Sequence, residues 1–258
     1  MPLAIWPVAQ TTAQYQRTGR YLPGCAAHPG EMLPELARQI VTEYSTPGQV
    51  VLDPLAGIGT TLVEAALLDR RAAGVELEQQ WADLARANLD YARSQGATGH
   101  GEVVCGDARY LTSVVDSSVR GLVALGLTSP PCGPSLHGQV TARPGKGIRK
   151  SHTRYSTDQA NLAHVGLGGL LDAMRTVLIG CARVLRPDGV VAMTVRPWWH
   201  DGQLVGLPRA LVWVDQLVPR ASFFALEQVR KARSRGVPRL VTAREDFLVF
   251  VLTCSGSR

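Results

Sequence analysis

Four polar or acidic side chains each follow an apolar run: Asp53 after Val50-Val51-Leu52, Glu76 after Ala72 to Val75, Asp107 after the strand ending at Cys105, and Ser129 after Leu122–Leu127 and Thr128. Between the first two lies Pro54-Leu55-Ala56-Gly57-Ile58-Gly59-Thr60-Thr61. Gly57 and Gly59 admit backbone angles that other residues avoid, and they leave room for a ligand against the main chain. A helix opening at Thr60 would offer its free N–H groups to a carboxylate or phosphate held by that loop. Glu76 follows at about the spacing at which a nucleotide-type site takes an acid for ribose hydroxyls. Ser129-Pro130-Pro131 has little backbone freedom, because proline fixes φ, so its carbonyl directions are set.

These residues need strands to bring them together. Val50–Asp53, Ala72–Glu76, Glu102–Cys105 and Leu122–Leu127 read as strands, the last a nearly continuous apolar run of the kind a parallel sheet buries on both faces. Glu31–Tyr44 has helical spacing in Met32, Leu33, Leu36, Ile40 and Val41; Thr60–Leu68 and Gln80–Gln95 read as further helices. Asn161–Leu185 is predicted as one long helix, Val190–Val195 as a fifth strand and Leu204–Leu217 as another helix. Phe223–Val229 and Asp246–Leu252 read as an antiparallel pair. Alternating strands and helices imply a parallel, doubly wound α/β sheet whose ligands sit beyond the strands' carboxyl ends. Asp53, Glu76, Asp107 and Ser129 all fall there.

At 258 residues, 45% of them hydrophobic, the chain suits a single domain. No apolar run is long enough to span a bilayer, and Met1 to Thr12 lacks the basic region of a signal peptide, so a cytoplasmic location is expected. The scattered Cys25, Cys105, Cys132, Cys181 and Cys254 contain no Cys-x-x-Cys pair and read as reduced thiols, with no metal site. The net charge of +6 suits a polyanionic partner, and basic residues concentrate in Arg143 to Arg154 and Arg230 to Arg244.

Taken in order, Asp-Pro-Leu-Ala-Gly-Ile-Gly-Thr-Thr, Val-Glu-Leu-Glu, Gly-Asp-Ala-Arg and Thr-Ser-Pro-Pro resemble an S-adenosylmethionine-dependent DNA methyltransferase, closest to the type that modifies N4 of cytosine or N6 of adenine. His28-Pro29-Gly30 matches the His-Pro element such enzymes carry upstream. The resemblance covers roughly residues 25 to 135. It implies a Rossmann-like class I methyltransferase fold with a mostly parallel seven-stranded sheet and a terminal antiparallel pair. It also implies S-adenosylmethionine held by His28, Asp53, Pro54, Ala56, Gly57, Gly59, Thr60, Glu76, Leu77, Asp107 and Ala108. The catalytic loop would be Ser129, Pro130, Pro131 and Cys132, and the partner double-stranded DNA with the base flipped out, bound by a monomer or a homodimer.

Serine before the prolines leans toward cytosine N4. Cys132 stands where the family usually has a stacking aromatic, and Pro-Pro-Cys resembles the nucleophile loop of cytosine-C5 enzymes, whose thiolate adds to C6. C5 is therefore slightly favoured over N4. A tRNA guanosine-N2 methyltransferase, a DNA N6-adenine enzyme and a catalytically dead nucleic-acid binder are the alternatives.

Gly133 to Asp158 reads as the least regular stretch, a basic insertion whose Arg143, Lys146, Arg149, Lys150 and Arg154 either contact phosphates or face solvent. Trp198 and Trp199 either stack a base or pack internally. Trp6, Arg17, Arg20 and Tyr21, in the arm of residues 1–30, either line a nucleic-acid groove or pack over the domain.

Overall fold

The computed structural model describes residues 11–28, 30, 32–131, 139–143, 147–151, 156, 158–195, 198–200, 203–205, 221–230 and 246–254, with side chains for 11–28, 30, 32–131, 156 and 158–195. In chain order the elements are α1 (Ala13–Arg17), α2 (Pro34–Tyr44), β1 (Val50–Asp53), α3 (Thr60–Leu67), β2 (Arg71–Glu76), α4 (Gln79–Ser94), β3 (His100–Cys105), α5 (Leu111–Val114), β4 (Val123–Thr128), β5 (Gln139–Arg143), β6 (Gly147–Ser151), α6 (Leu167–Val184), β7 (Leu185–Val195), β8 (Trp198–His200), β9 (Gln203–Val205), β10 (Ala221–Arg230) and β11 (Asp246–Cys254).

The main sheet runs β10-β11-β7-β4-β1-β2-β3. From β7 to β3 its neighbours are parallel, while β11 is antiparallel to both β7 and β10. Strand alternation divides the core in two. Val51 faces one side with Leu36, Ile40, Leu62, Ala85 and Leu89 of α2, α3 and α4. Val50 and Leu52 face the other, with Leu170, Met174, Val177 and Leu178 of α6. Removing each such side chain from water contributes about 1.5–3 kcal/mol. The tips of β4, β1, β2 and β3 are adjacent, so Ser129, Asp53, Glu76 and Asp107 converge along one edge of the sheet.

Several boundaries differ from the predicted ones for local reasons. The helix expected over Glu31–Tyr44 starts at Pro34, whose fixed φ suits the first helical position, with Leu33 still extended. The helix expected over Asn161–Leu185 begins only at Leu167: the Asn161 side chain accepts from Ala163 N–H and caps a separate three-residue turn, Leu162–His164. That side chain offers the backbone an alternative to the helix. Strand β7 starts at Leu185 rather than Val190. Its pairing with β4 passes through a register shift, which leaves Arg186-Pro187-Asp188-Gly189 inside the strand's span.

The insertion expected to be irregular contains an antiparallel pair, β5 and β6, with Gln139 opposite Ser151 and Arg143 opposite Gly147. The alternation of Val140 and Ala142 with polar neighbours is the strand signal that the surrounding glycines obscured. The helix expected over Leu204–Leu217 is corrected at its start, since Leu204 and Val205 lie in β9 opposite Trp199 and Trp198. Aromatic–aliphatic pairs of this kind favour a ladder over a helix. Residues 206–217 lie outside those described.

Among the described residues no helix is long and apolar enough to cross a membrane, and no group of His, Cys, Asp and Glu could hold a metal. Cys25 and Cys181 are buried and Cys105 is half-buried.

Candidate functional site

A cleft opens over the tips of the central strands. Its lining includes His28, Asp53, Pro54, Ala56, Gly57, Thr60, Glu76, Leu77, Asp107, Ala108, Ser129 and Pro131. The glycine loop forms its floor. Gly57 has φ +53°, and a Cβ there would lie 3.2 Å from both Cε1 and Nε2 of His28. The loop is held from the next strand: Glu76 Oε2 accepts the Gly57 N–H at 2.8 Å, and Oε1 accepts the Glu78 N–H at 2.9 Å. Burial raises the Glu76 pKa, while these two N–H donors oppose the rise.

Asp53 is 3% exposed. One oxygen accepts the Leu55 N–H at 3.0 Å. Burial pushes its pKa up to about 6 against the opposing effect of the Thr61 and Thr128 hydroxyls and the Leu55 amide. Both hydroxyls are buried and favour the ionised carboxylate by hydrogen bonding. A carboxylic acid that titrates near neutrality beside two such hydroxyls is a polar floor ready for a cationic or hydroxylated ligand.

The far end is more strongly charged. Asp107 Oδ1 accepts the Arg109 N–H at 2.9 Å, and its Oδ2 pairs with the Arg109 guanidinium at 2.5 Å. Burial alone would raise the Asp107 pKa, but the Arg109 hydrogen bonds and charge hold it below the usual carboxylate value. Ala160, Asn161 and Leu162 line the same cleft as this pair.

The N-terminal segment closes the remaining side. Arg17 donates to the Met32 carbonyl at 2.6 Å. The fully buried Glu64 accepts from Arg20 and from the Tyr21 hydroxyl, the latter at 2.8 Å. Asn88 on α4 ties three pieces together: it accepts the Leu22 N–H at 3.0 Å, donates to the Ile58 carbonyl at 2.9 Å and contacts Cys25 Sγ. His28 meets Trp81 edge-on, with ring centroids 4.8 Å apart. Arg17, Arg20 and Tyr21 thus hold this arm over α2 and α3; Trp6 lies outside the described residues.

Most of the expected site residues meet in this cleft, with instructive departures. Gly59 is absent from the lining. Its φ of +82° ends the loop as the N-cap of α3, and a Cβ would press against Ala85 Cβ at 3.0 Å, so its smallness serves helix packing. Pro130 is buried behind Ser129 and Pro131. Cys132, Lys146 and Arg154 lie outside the described residues. Arg143 falls in β5, and Arg149 and Lys150 in β6.

Arg109, Asn161 and Asn88 went unnoticed in the sequence. Asn88 carried one signal, a lone amide beside the buried face formed by Ala85, Leu89 and Ala92. Asn161, placed before Leu162-Ala163, carried an N-cap signal.

Residues 2–87 match the N6/N4 methyltransferase family, described as DNA methylase. TrmN from Thermus thermophilus superposes with a TM-score of 0.58 at 21% identity, over 92% of this chain and 53% of that one. An S-adenosylmethionine-dependent O-methyltransferase from Thermotoga maritima gives 0.52 at 14% identity, over 88% and 68%. The fold is the Rossmann-like S-adenosylmethionine-dependent methyltransferase fold.

S-adenosylmethionine is the cofactor of that fold and of the matching family. In sequence the chain is similar to two proteins of Methanothermobacter thermautotrophicus. One is a tRNA (guanine(10)-N2)-dimethyltransferase, 36% identical over 109 residues, which are 42% of this chain and 30% of that protein. The other is the type II methyltransferase M.MthZI, 39% identical over 56 residues, 22% and 16% of the respective lengths. The matched stretches thus span less than a third of either relative.

Proposed function

We propose that the protein is an S-adenosylmethionine-dependent methyltransferase acting on an exocyclic amine of a nucleic-acid base, with N4 of cytosine in double-stranded DNA as the target. The observation that carries this reading is that Ser129 and Pro131 line the same cleft as Gly57, Glu76 and Asp107.

The residues present fit the cofactor. The free N–H groups at the start of α3, which follows the glycine loop, suit the amino-acid carboxylate. Buried Asp53 and the buried Thr61 and Thr128 hydroxyls beside it suit charged and polar groups. Glu76 on β2 would take ribose hydroxyls, so the purine would lie beyond it, between Leu77, Asp107, Ala108 and the Ala160–Leu162 wall. Bound S-adenosylmethionine supplies an electrophilic methyl group on sulfur. The Ser129 hydroxyl and a carbonyl of the proline pair would accept the N–H bonds of the target amine and orient its lone pair toward that methyl group. As the C–N bond formed and the methyl–sulfur bond broke, leaving S-adenosylhomocysteine, these acceptors would be placed to take the amine proton. Reaching this pocket requires the base to leave the stack. Arg143, Lys146, Arg149, Lys150 and Arg154 would contact phosphates flanking it.

The match to the N6/N4 family supports amine chemistry over the C5 route through Cys132, which the sequence slightly favoured. The similarity over 109 residues to a tRNA (guanine(10)-N2)-dimethyltransferase supports RNA as the second reading.

Nucleoside mass spectrometry after incubation with the cofactor and either duplex DNA or tRNA tests the choice. N4-methylcytosine in DNA is the expected product. 5-Methylcytosine lost in Cys132→Ser would replace amine by C5 chemistry, and N2-methylguanosine in tRNA would replace DNA by RNA.

A further inference from the structure

The wall of the cleft formed by Ala160, Asn161 and Leu162 belongs to a compact turn held by its own polar groups. Asp158 N–H donates to Ser156 Oγ at 2.9 Å, Asp158 Oδ1 accepts the Ala160 N–H at 2.8 Å, and Asn161 N–H donates to the Asp158 carbonyl at 3.1 Å. Asn161 is 7% exposed and its amide is used at both ends. Oδ1 accepts the Ala163 N–H at 2.9 Å, and Nδ2 donates to Glu78 Oε1 at 2.8 Å. A backbone N–H can only donate and a carboxylate can only accept, so these two partners fix which end of the amide is which.

Glu78 belongs to the loop after β2 and sits two residues beyond Glu76, whose Oε1 takes the Glu78 N–H. Through Glu76 the same chain of bonds reaches the Gly57 amide. Asn161 thus joins the turn before α6, 83 residues away in sequence, to the loop that frames the cleft. Nothing else in the turn explains a buried amide aimed at that carboxylate.

We infer that Asn161 is a positioning residue: its bond to Glu78 clasps residues 158–163 over the purine end of the cleft and slows release of the cofactor. This rests on the cofactor reading given above. The clasp is a part-buried, charge-assisted hydrogen bond, a kind stronger than one between neutral groups. Opening it removes one wall of the pocket without touching Gly57, Asp53 or Ser129.

Asn161→Asp separates the clasp from the turn's own architecture. The new carboxylate still accepts from Ala163 N–H, so the cap survives, but it faces the Glu78 carboxylate with like charge. At pH 7.5 the expected result by calorimetry and stopped-flow is an S-adenosylmethionine Kd raised by about tenfold or more, carried by faster dissociation. KM for the cofactor rises while kcat for the target changes little. Adding Glu78→Gln places a donor against the new carboxylate and is expected to restore Kd to within about threefold.

Amide hydrogen exchange of residues 158–163 in cofactor-free protein reads the clasp independently, and Asn161→Asp is expected to speed it. Unchanged exchange and unchanged affinity in Asn161→Asp, or failure of the double variant to recover either, overturns the clasp. Wild-type protein that binds no S-adenosylmethionine, yet shows faster exchange in Asn161→Asp, overturns the cofactor reading and leaves the clasp standing.

Discussion

At the tips of β1, β2 and β3 the cleft is walled by carboxylates that already hold main-chain N–H groups, whereas at the tip of β4 it is walled by a serine and a proline. The first region is short-looped and self-braced. Glu76 fixes the glycine loop through Gly57, Asp53 fixes Leu55, and Asp107 fixes Arg109. In the second region Ser129 and Pro131 lead into the insertion that carries β5 and β6 before the chain returns at α6. The difference separates a region braced by its own backbone bonds from one that leads into a long excursion of the chain. Under the proposed function the first is the cofactor half and the second the target half.

The sharpest way to break this contrast is Glu76→Ala. It strips the Gly57 and Glu78 amides of their acceptor and removes the acid proposed for the ribose. Hydrogen bonds to a charged group are worth about 1.5–3 kcal/mol each, so a weakening of S-adenosylmethionine binding on the order of 100-fold is expected by calorimetry. Unchanged affinity would refute the division into halves.

Asp53 tests the same half through pH. Its pKa in the folded protein is raised from 3.8 to about 6, so the cofactor-free protein binds that proton more tightly than the unfolded chain does. The resulting stabilisation is complete below pH 3.8 and is lost as pH rises through about 6, on the order of 3 kcal/mol in all. A positively charged cofactor prefers the ionised form, so its affinity should rise over the same interval. Asp53→Asn is expected to flatten both profiles in denaturation and titration experiments.

Asn88→Ala is a smaller perturbation, placed outside the cleft. It leaves the Ile58 carbonyl and Leu22 N–H buried without their partner, a loss of roughly 2 kcal/mol in urea unfolding. The accompanying drop in cofactor affinity should be slight, because the loop keeps its Glu76 bond.

In the target half the smallest effect is expected from Arg149→Ala. Nucleic-acid affinity should fall several-fold, with the salt dependence of binding shallower by about one unit of slope and cofactor affinity untouched. A variant that weakened both ligands equally would mean that the two halves are coupled rather than separate.

Much of the cofactor half was legible because its signals are local. An apolar run ending at Asp53, a Gly-x-Gly loop and an acid at Glu76 each arise from a few consecutive residues, and β1 lies where the sequence placed it. Gly59 shows the limit of that reading. Its conformation was foreseeable, but only the approach of Ala85 from α4 reveals that its missing side chain serves packing. The β5–β6 pair was hidden for a related reason: its short runs lie among glycines and basic residues, and strand pairing depends on a partner segment that no single window contains.

Residue order alone determined the alternation of strands and helices and put Asp53, Glu76, Asp107 and Ser129 at strand tips, because hydrophobic periodicity and glycine chemistry act over a few residues. Three-dimensional packing decided that those tips share one cleft, that Glu64 and Asn88 fasten the N-terminal arm to it, and that Asn161 reaches Glu78. Each of these depends on contacts between segments distant in the chain, and their energies come from burial and from hydrogen bonds that exist only once the sheet has assembled.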